Sequence, residues 1–195
     1  MEIWPSGRAI VRCHDSTFGA TEFNPGLGQG RFHPFKDSEG DVVPTLYGAS
    51  TLEGALSESV FHNVPIRGSG RAIRHSALLP LLVSGLAPDR DLRLAQLHGF
   101  GLGRLGVQRA ELIDSEARHY PRTAAWAAAI QAWRGEVDGM VWVSRLHDTT
   151  FALILFGDRV ARGNLRVVQP PVSIFQGEGF AEVQRAAEQA GIRIL

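Results

Sequence analysis

The chain has 195 residues, 44% hydrophobic and 21% charged, which supplies enough apolar side chain for a buried core and excludes a disordered chain. Its 20 basic and 20 acidic residues cancel, so the basic excess of a broad nucleic-acid-binding face is missing, although a small anionic ligand remains compatible with that balance. One cysteine, Cys13, cannot form an internal disulfide, and this sets a cytoplasmic expectation.

At this length residues 1–195 are expected to form a single domain. Met1-Glu2-Ile3-Trp4-Pro5 lacks the basic start and apolar centre of a signal peptide. The longest apolar run, Ala77 to Ala87, is broken by Pro80 and Gly85, so no membrane-spanning helix is expected.

Arg8 to Cys13 reads as a first strand because Ile10 and Val11 are β-branched and the flanks form turns. His14 to Gly30 reads as a loop turning at Asn24-Pro25-Gly26, and Phe32 to Asp41 as irregular chain. Thr45 to Ala49 is a short strand. Ser50 and Glu53 have the spacing of a capping box, so a helix should start at Ser50, bury Leu52, Ala55, Leu56 and Val60, and end at Asn63-Val64-Pro65. Glu58 falls roughly 120° from Leu52 around that helix, away from the buried stripe.

Arg71 to Val83 suggests one or two strands, with a turn at Leu86-Ala87-Pro88-Asp89. Pro121 to Arg134 is a helix by periodicity, with Thr123, Trp126, Ile130 and Trp133 on one face and Gly135 as its stop. Gly139 to Arg145 and Phe151 to Phe156 form a hairpin across a polar turn. Leu165 to Phe175 is extended, and Pro170-Pro171 confine it to a sheet edge or a bend. Gly179 to Ala190 closes the chain as a helix stopped by Gly191, burying Phe180, Val183, Ala187 and Ala190.

Several letter patterns have bland explanations. Gly101-Leu102-Gly103-Arg104-Leu105-Gly106 matches a dinucleotide-binding fingerprint by spelling, but lacks a convincing strand before it or a βαβ unit around it, and reads as a flexible loop. Ser144, His147 and Asp148 lie too close in sequence for triad geometry and lack a nucleophile elbow. Seven scattered histidines and one cysteine give no zinc-ligand spacing, so no metal is expected. Met140, Trp142 and Ser144 alternate and should share one strand face. Arg12, Arg31, Tyr47 and Glu58 remain. Each has an ordinary explanation singly, but the glycines around Arg31 and the strand-to-helix placement of Tyr47 and Glu58 could bring these three to one cleft.

Taken in order, Val11-Arg12, Gly30-Arg31-Phe32, Leu46-Tyr47-Gly48-Ala49-Ser50, Ala55 to His62 and Asp138 to Arg145 resemble the RES domain, a family named for its arginine, glutamate and serine. The named residues correspond to Arg31, Glu58 and Ser144, with Arg12 and Tyr47 as further site positions; residues 85 to 120 match little. The resemblance implies an α+β fold with an ADP-ribosyltransferase-like core, its mixed and antiparallel sheets flanked by helices. It also implies a toxin that consumes NAD as substrate, by hydrolysis or phosphorolysis, needs no cofactor, and is neutralised by an Xre-like antitoxin carrying a helix-turn-helix domain. Transfer of ADP-ribose to a protein, and NAD binding without turnover, are the alternatives.

In that chemistry Glu58 would stabilise the positive charge that develops on the ribose, while Arg31 and Arg12 would grip the pyrophosphate as guanidinium forks. Tyr47 would stack on the cationic nicotinamide ring, and Ser144 would bond the amide or the ribose.

Overall fold

The computed structural model describes residues 1–68, 70–133 and 136–195. Ten strands and five α-helices follow one another as β1 (Glu2–Trp4), β2 (Ile10–Asp15), β3 (Thr45–Ala49), α1 (Leu52–Ser57), β4 (Ala72–Ile73), β5 (Leu81–Pro88), β6 (Leu92–Gln96), α2 (Phe100–Leu105), α3 (Arg109–Leu112), α4 (Tyr120–Ala132), β7 (Gly139–Val143), β8 (Phe151–Phe156), β9 (Leu165–Ser173), α5 (Gly177–Gln189) and β10 (Arg193–Ile194). Eight strands form a sheet in the order β1-β6-β7-β8-β3-β2-β5-β9, antiparallel except for the parallel pair β6 and β7, and β10 pairs with β4 separately. The fold is therefore α+β with a mixed, mostly antiparallel sheet. No helix among the described residues is long and apolar enough to cross a membrane.

Strand alternation gives the sheet two apolar faces. Ile10, Leu46, Leu94, Val141, Leu153 and Leu155 gather on one face with Trp4. Met140, Trp142, Ile154, Phe156 and the partly buried Tyr47 turn to the other, where Phe32 and Ile130 cover them. A third cluster places Leu56 and Phe61 of the α1 region against Val183 of α5 and Val83 of β5. At roughly 1.5–3 kcal/mol for each large side chain buried, these clusters dominate the stabilisation.

Most of the expected elements are present, including β3 with its expected bounds, the β7–β8 hairpin and the edge position of β9. The differences have local causes. Glu2–Trp4 forms an unexpected strand because β6 offers it a partner. The α1 cap is Thr51, whose Oγ1 accepts from the Gly54 amide at 3.1 Å, because Ser50 is still bonded to Phe151 through both its amide and its hydroxyl. The helix stops at Ser57, and turns rather than helix carry the chain to Pro65. Leu86 to Pro88 continue β5, with Pro88 tolerated as the last paired residue. Trp133 leaves the α4 face in an extended conformation, 53% exposed, and Gly135 lies outside the described residues.

The glycine pattern also differs from expectation. Strand β6, the helices α2 to α4 and the parallel strand β7 do form a β-helix-β crossover, and Phe100 to Leu105 is a helical turn and a half rather than a loop. A Cβ on Gly101 would collide with the Gln96 carbonyl, so this glycine serves the packing of α2 on β6.

Two buried histidines are hydrogen-bonded at both ring nitrogens, His33 between a loop and β3 and His14 between β2 and β5. His33 bonds the Leu27 carbonyl through Nε2 at 3.0 Å and the Thr45 hydroxyl through Nδ1 at 2.8 Å, which makes Nε2 the donor and Nδ1 the acceptor. His14 donates through Nδ1 to the Asp15 carbonyl and accepts from Ser84 at Nε2, 2.8 Å away. Burial lowers both from the ordinary value of 6.5, so the unfolded chain takes up protons at a higher pH than the folded one. Stability is accordingly full above pH 6.5 and falls as the pH drops through that value toward the depressed native ones. Tm should therefore decline between pH 7 and 5, before the carboxylates titrate, and His33→Gln should flatten the decline; a Tm constant over that interval would contradict it.

Candidate active site

Gly30 and His33 exchange backbone hydrogen bonds of 2.8 and 3.3 Å, so Arg31 and Phe32 occupy a tight turn. Three contacts hold the turn. The Thr123 hydroxyl of α4 donates to the Arg31 carbonyl. The Phe32 amide donates to the Tyr47 hydroxyl at 3.1 Å, and the Phe32 ring meets Trp142 edge-on with centroids 5.2 Å apart. A Cβ on Gly30 would stand 3.4 Å from the Tyr47 oxygen, so a glycine suits this approach. Burial raises the Tyr47 phenol above its ordinary value, and it remains neutral.

Glu58 follows the last residue of α1, at a point where the chain leaves the helix and the side chain leaves the apolar stripe. Its Oε1 accepts from the Ser144 hydroxyl at 2.7 Å and from the Arg145 amide at 3.3 Å. Its Oε2 has one partner, Arg31 Nη1, at 3.3 Å. That distance is long for a charge-assisted bond, so Oε2 keeps lone pairs for a ligand while Oε1 is committed to the protein. Arg31 is 3% exposed, and among the described residues its Nε and Nη2 are buried without a partner. Leaving such donors unsatisfied is costly, and a ligand oxygen would relieve it.

Gly30, Arg31, Tyr47, Glu58, His62 and Tyr120 line a cavity of about 420 Å³. A second cavity of about 450 Å³ adjoins it, sharing His62 and Tyr120 and adding Arg145. His62 Nε2 and the Tyr120 hydroxyl are 2.7 Å apart and form the wall common to both. Burial, and then the nearby Arg31 cation, lower His62 below the usual histidine value. Each volume lies within the range of roughly 300–1,000 Å³ usual for small-molecule sites.

Arg31, Tyr47 and Glu58 thus meet at one cavity. Arg12 does not. It alternates with Ile10 on β2, which directs it to the sheet face opposite Tyr47, and there it donates to the Ala20 carbonyl at 2.7 Å and the Gly19 carbonyl at 3.3 Å. Burial brings its guanidinium down to about 10. Arg12 fastens the loop after β2, so Arg12→Gln should lower Tm while leaving the KM for any ligand of this cavity within about twofold; a tenfold rise in KM at unchanged Tm would place it in the site after all. Ser144 is fully buried and reaches the site through Glu58, orienting the carboxylate rather than lining the cavity.

A family model described as RES domain matches residues 9–175 of the 195-residue chain. The chain belongs to the RES domain family. No curated protein matches the chain. In this RES domain Arg31, Glu58 and Ser144 form one connected chain of hydrogen bonds. His62, Tyr120 and Thr123 were not singled out from the sequence. His62 lies four residues beyond Glu58 and within the motif, which is a signal, whereas Tyr120 is 58 positions from His62 and has none. Residues 85 to 120 supply Ala117 and Tyr120 to the cavity rim.

Proposed function

We propose that this RES domain is an enzyme that breaks the bond between nicotinamide and ribose in NAD and passes ADP-ribose to water or inorganic phosphate. The observation that carries the reading is Glu58, a carboxylate at a cavity wall with one oxygen held by Ser144 and Arg145 and the other left with lone pairs to spare.

When the C1′–N1 bond breaks, its electron pair leaves with nicotinamide, which departs neutral, and the ribose becomes an oxocarbenium-like cation. A fixed carboxylate beside C1′ stabilises that cation without having to reorganise during the reaction. An oxygen of water or phosphate then bonds to C1′; water gives up a proton in doing so. Arg31 would hold the pyrophosphate or ribose oxygens, since its Nε and Nη2 are buried without partners among the described residues. Tyr47, neutral and facing the same cavity, supplies an aromatic surface for the cationic nicotinamide ring. The two adjoining cavities suit a ligand with two lobes.

In the wider setting this activity fits a cytoplasmic toxin that acts on NAD as substrate without a cofactor, the 195 residues serving as one domain, and is restrained by a separate Xre-like antitoxin with a helix-turn-helix domain. The test is to incubate purified protein with NAD, with and without phosphate, and to identify the products. Nicotinamide with ADP-ribose indicates hydrolysis, and nicotinamide with phosphorylated ADP-ribose indicates phosphorolysis. Label transferred to protein would replace this reading with ADP-ribosyl transfer, and binding without nicotinamide release would reduce the domain to a nucleotide-binding module.

A further inference from the structure

On the side facing α5, sharing Val64, Ile66 and Arg145 with the second cavity, lies a further cavity of about 170 Å³. Two guanidiniums line it, Arg71 from the segment before β4 and Arg145 from the end of β7, together with the Ser57 side of α1 and the apolar walls Phe61, Leu146 and Ile192. No lining residue carries a carboxylate. Neither arginine forms a salt bridge among the described residues, and the Nε of each is buried without a partner. Arg145 bonds the His62 carbonyl through Nη2 at 2.9 Å, and Glu58 touches it only at the backbone amide.

Two like charges facing one apolar-walled space repel each other at low dielectric, and unpaired donors add to the cost. The carboxyl end of α5, beside Arg71, offers about half a negative charge at most, which is too little for two cations. A small anion with several acceptor oxygens satisfies both forks at once, and a cavity of this size admits one. We infer that the cavity between Arg71 and Arg145 binds a small oxyanion of the orthophosphate class. Because Arg145 also bonds Glu58 Oε1 and the His62 carbonyl, an anion held there braces the chain that positions the carboxylate.

The site does not depend on NAD turnover, and its test reads binding alone. The full chain is titrated calorimetrically with sodium phosphate and, at matched ionic strength, with sodium chloride. Saturable binding of phosphate but not chloride is expected. Arg71→Gln should weaken it at least tenfold, and Ala190→Asp, which adds a carboxylate to the lining, should do the same by a different route. Repeating the titration in saturating AMP identifies the source: displacement of phosphate means that the site takes the phosphate of a nucleotide, and unchanged phosphate binding means that it takes the free ion. Wild-type protein that binds neither phosphate nor AMP saturably, or affinity unaltered in both variants, would overturn the inference.

Discussion

Glu58→Gln is expected to lower the rate of nicotinamide release from NAD by about two to three orders of magnitude, the scale of removing one preorganised electrostatic group. The amide keeps the size of the carboxylate and an acceptor for Ser144, so the site retains its shape while the charge opposite the ribose cation is lost. The exchange also leaves the buried Arg31 cation without its carboxylate, which should cost about 1–3 kcal/mol and lower Tm by several degrees. A protein with ordinary stability of roughly 5–15 kcal/mol remains folded at 25 °C after such a loss, so activity measured there separates the two effects. Ser144→Ala, which frees Oε1 but keeps the charge, should be milder. Turnover of folded Glu58→Gln near the wild-type rate would remove the role assigned to the carboxylate.

Gly139→Ala is expected to have the largest effect on stability, about 3 kcal/mol or more, seen as a Tm lowered by roughly 6–12 °C or as failure to accumulate folded protein. Gly139 sits between β6 and β8, paired with Leu94 on one side and Leu155 on the other. A Cβ there would collide with the Ile154 carbonyl oxygen and stand 3.0 Å from the Leu155 Cα, and neither is the movable end of a side chain. The strand would have to shift, and β7 leads directly to Ser144 and Arg145, so activity should fall together with stability. Gly103→Ala is the control, because a Cβ on that helical glycine meets nothing within 4 Å and should be neutral or slightly stabilising. Equal Tm values for the two variants would show that the close approach at Gly139 is unimportant.

The neighbouring Asp138 fixes the start of the same strand. Its carboxylate takes two bonds from Arg90, at 2.9 and 2.6 Å, and one from the Arg93 amide at 2.8 Å, pinning the start of β7 to β6. The glycine then lets β7 pass close over β8. Both residues set the path of the strand that ends at Ser144.

Local sequence was informative wherever one short pattern had one physical meaning. β-Branched Ile10 and Val11 marked β2, a polar turn between two apolar runs marked the β7–β8 hairpin, the proline pair of β9 pointed to an edge, and Gly191, at φ +64°, stopped α5. Glu58 was expected off the apolar stripe by helical angle, and it lies off it for another reason, because α1 ends at Ser57 and Glu58 is the residue that leaves the helix.

What sequence by itself determined is most of the longer elements, the ordered motif that places the chain in its family, and the convergence of Arg31, Tyr47 and Glu58 as an expectation. Only the tertiary structure decided that Arg12 points to the opposite sheet face, that Ser144 serves Glu58 from behind, that β6 and β7 run parallel, and that His62 and Tyr120 close the cavity together. The physical reason is one of range. Strand period and helix angle fix which residues of a segment share a face, whereas sheet register and the packing of segments far apart in the chain fix what that face meets.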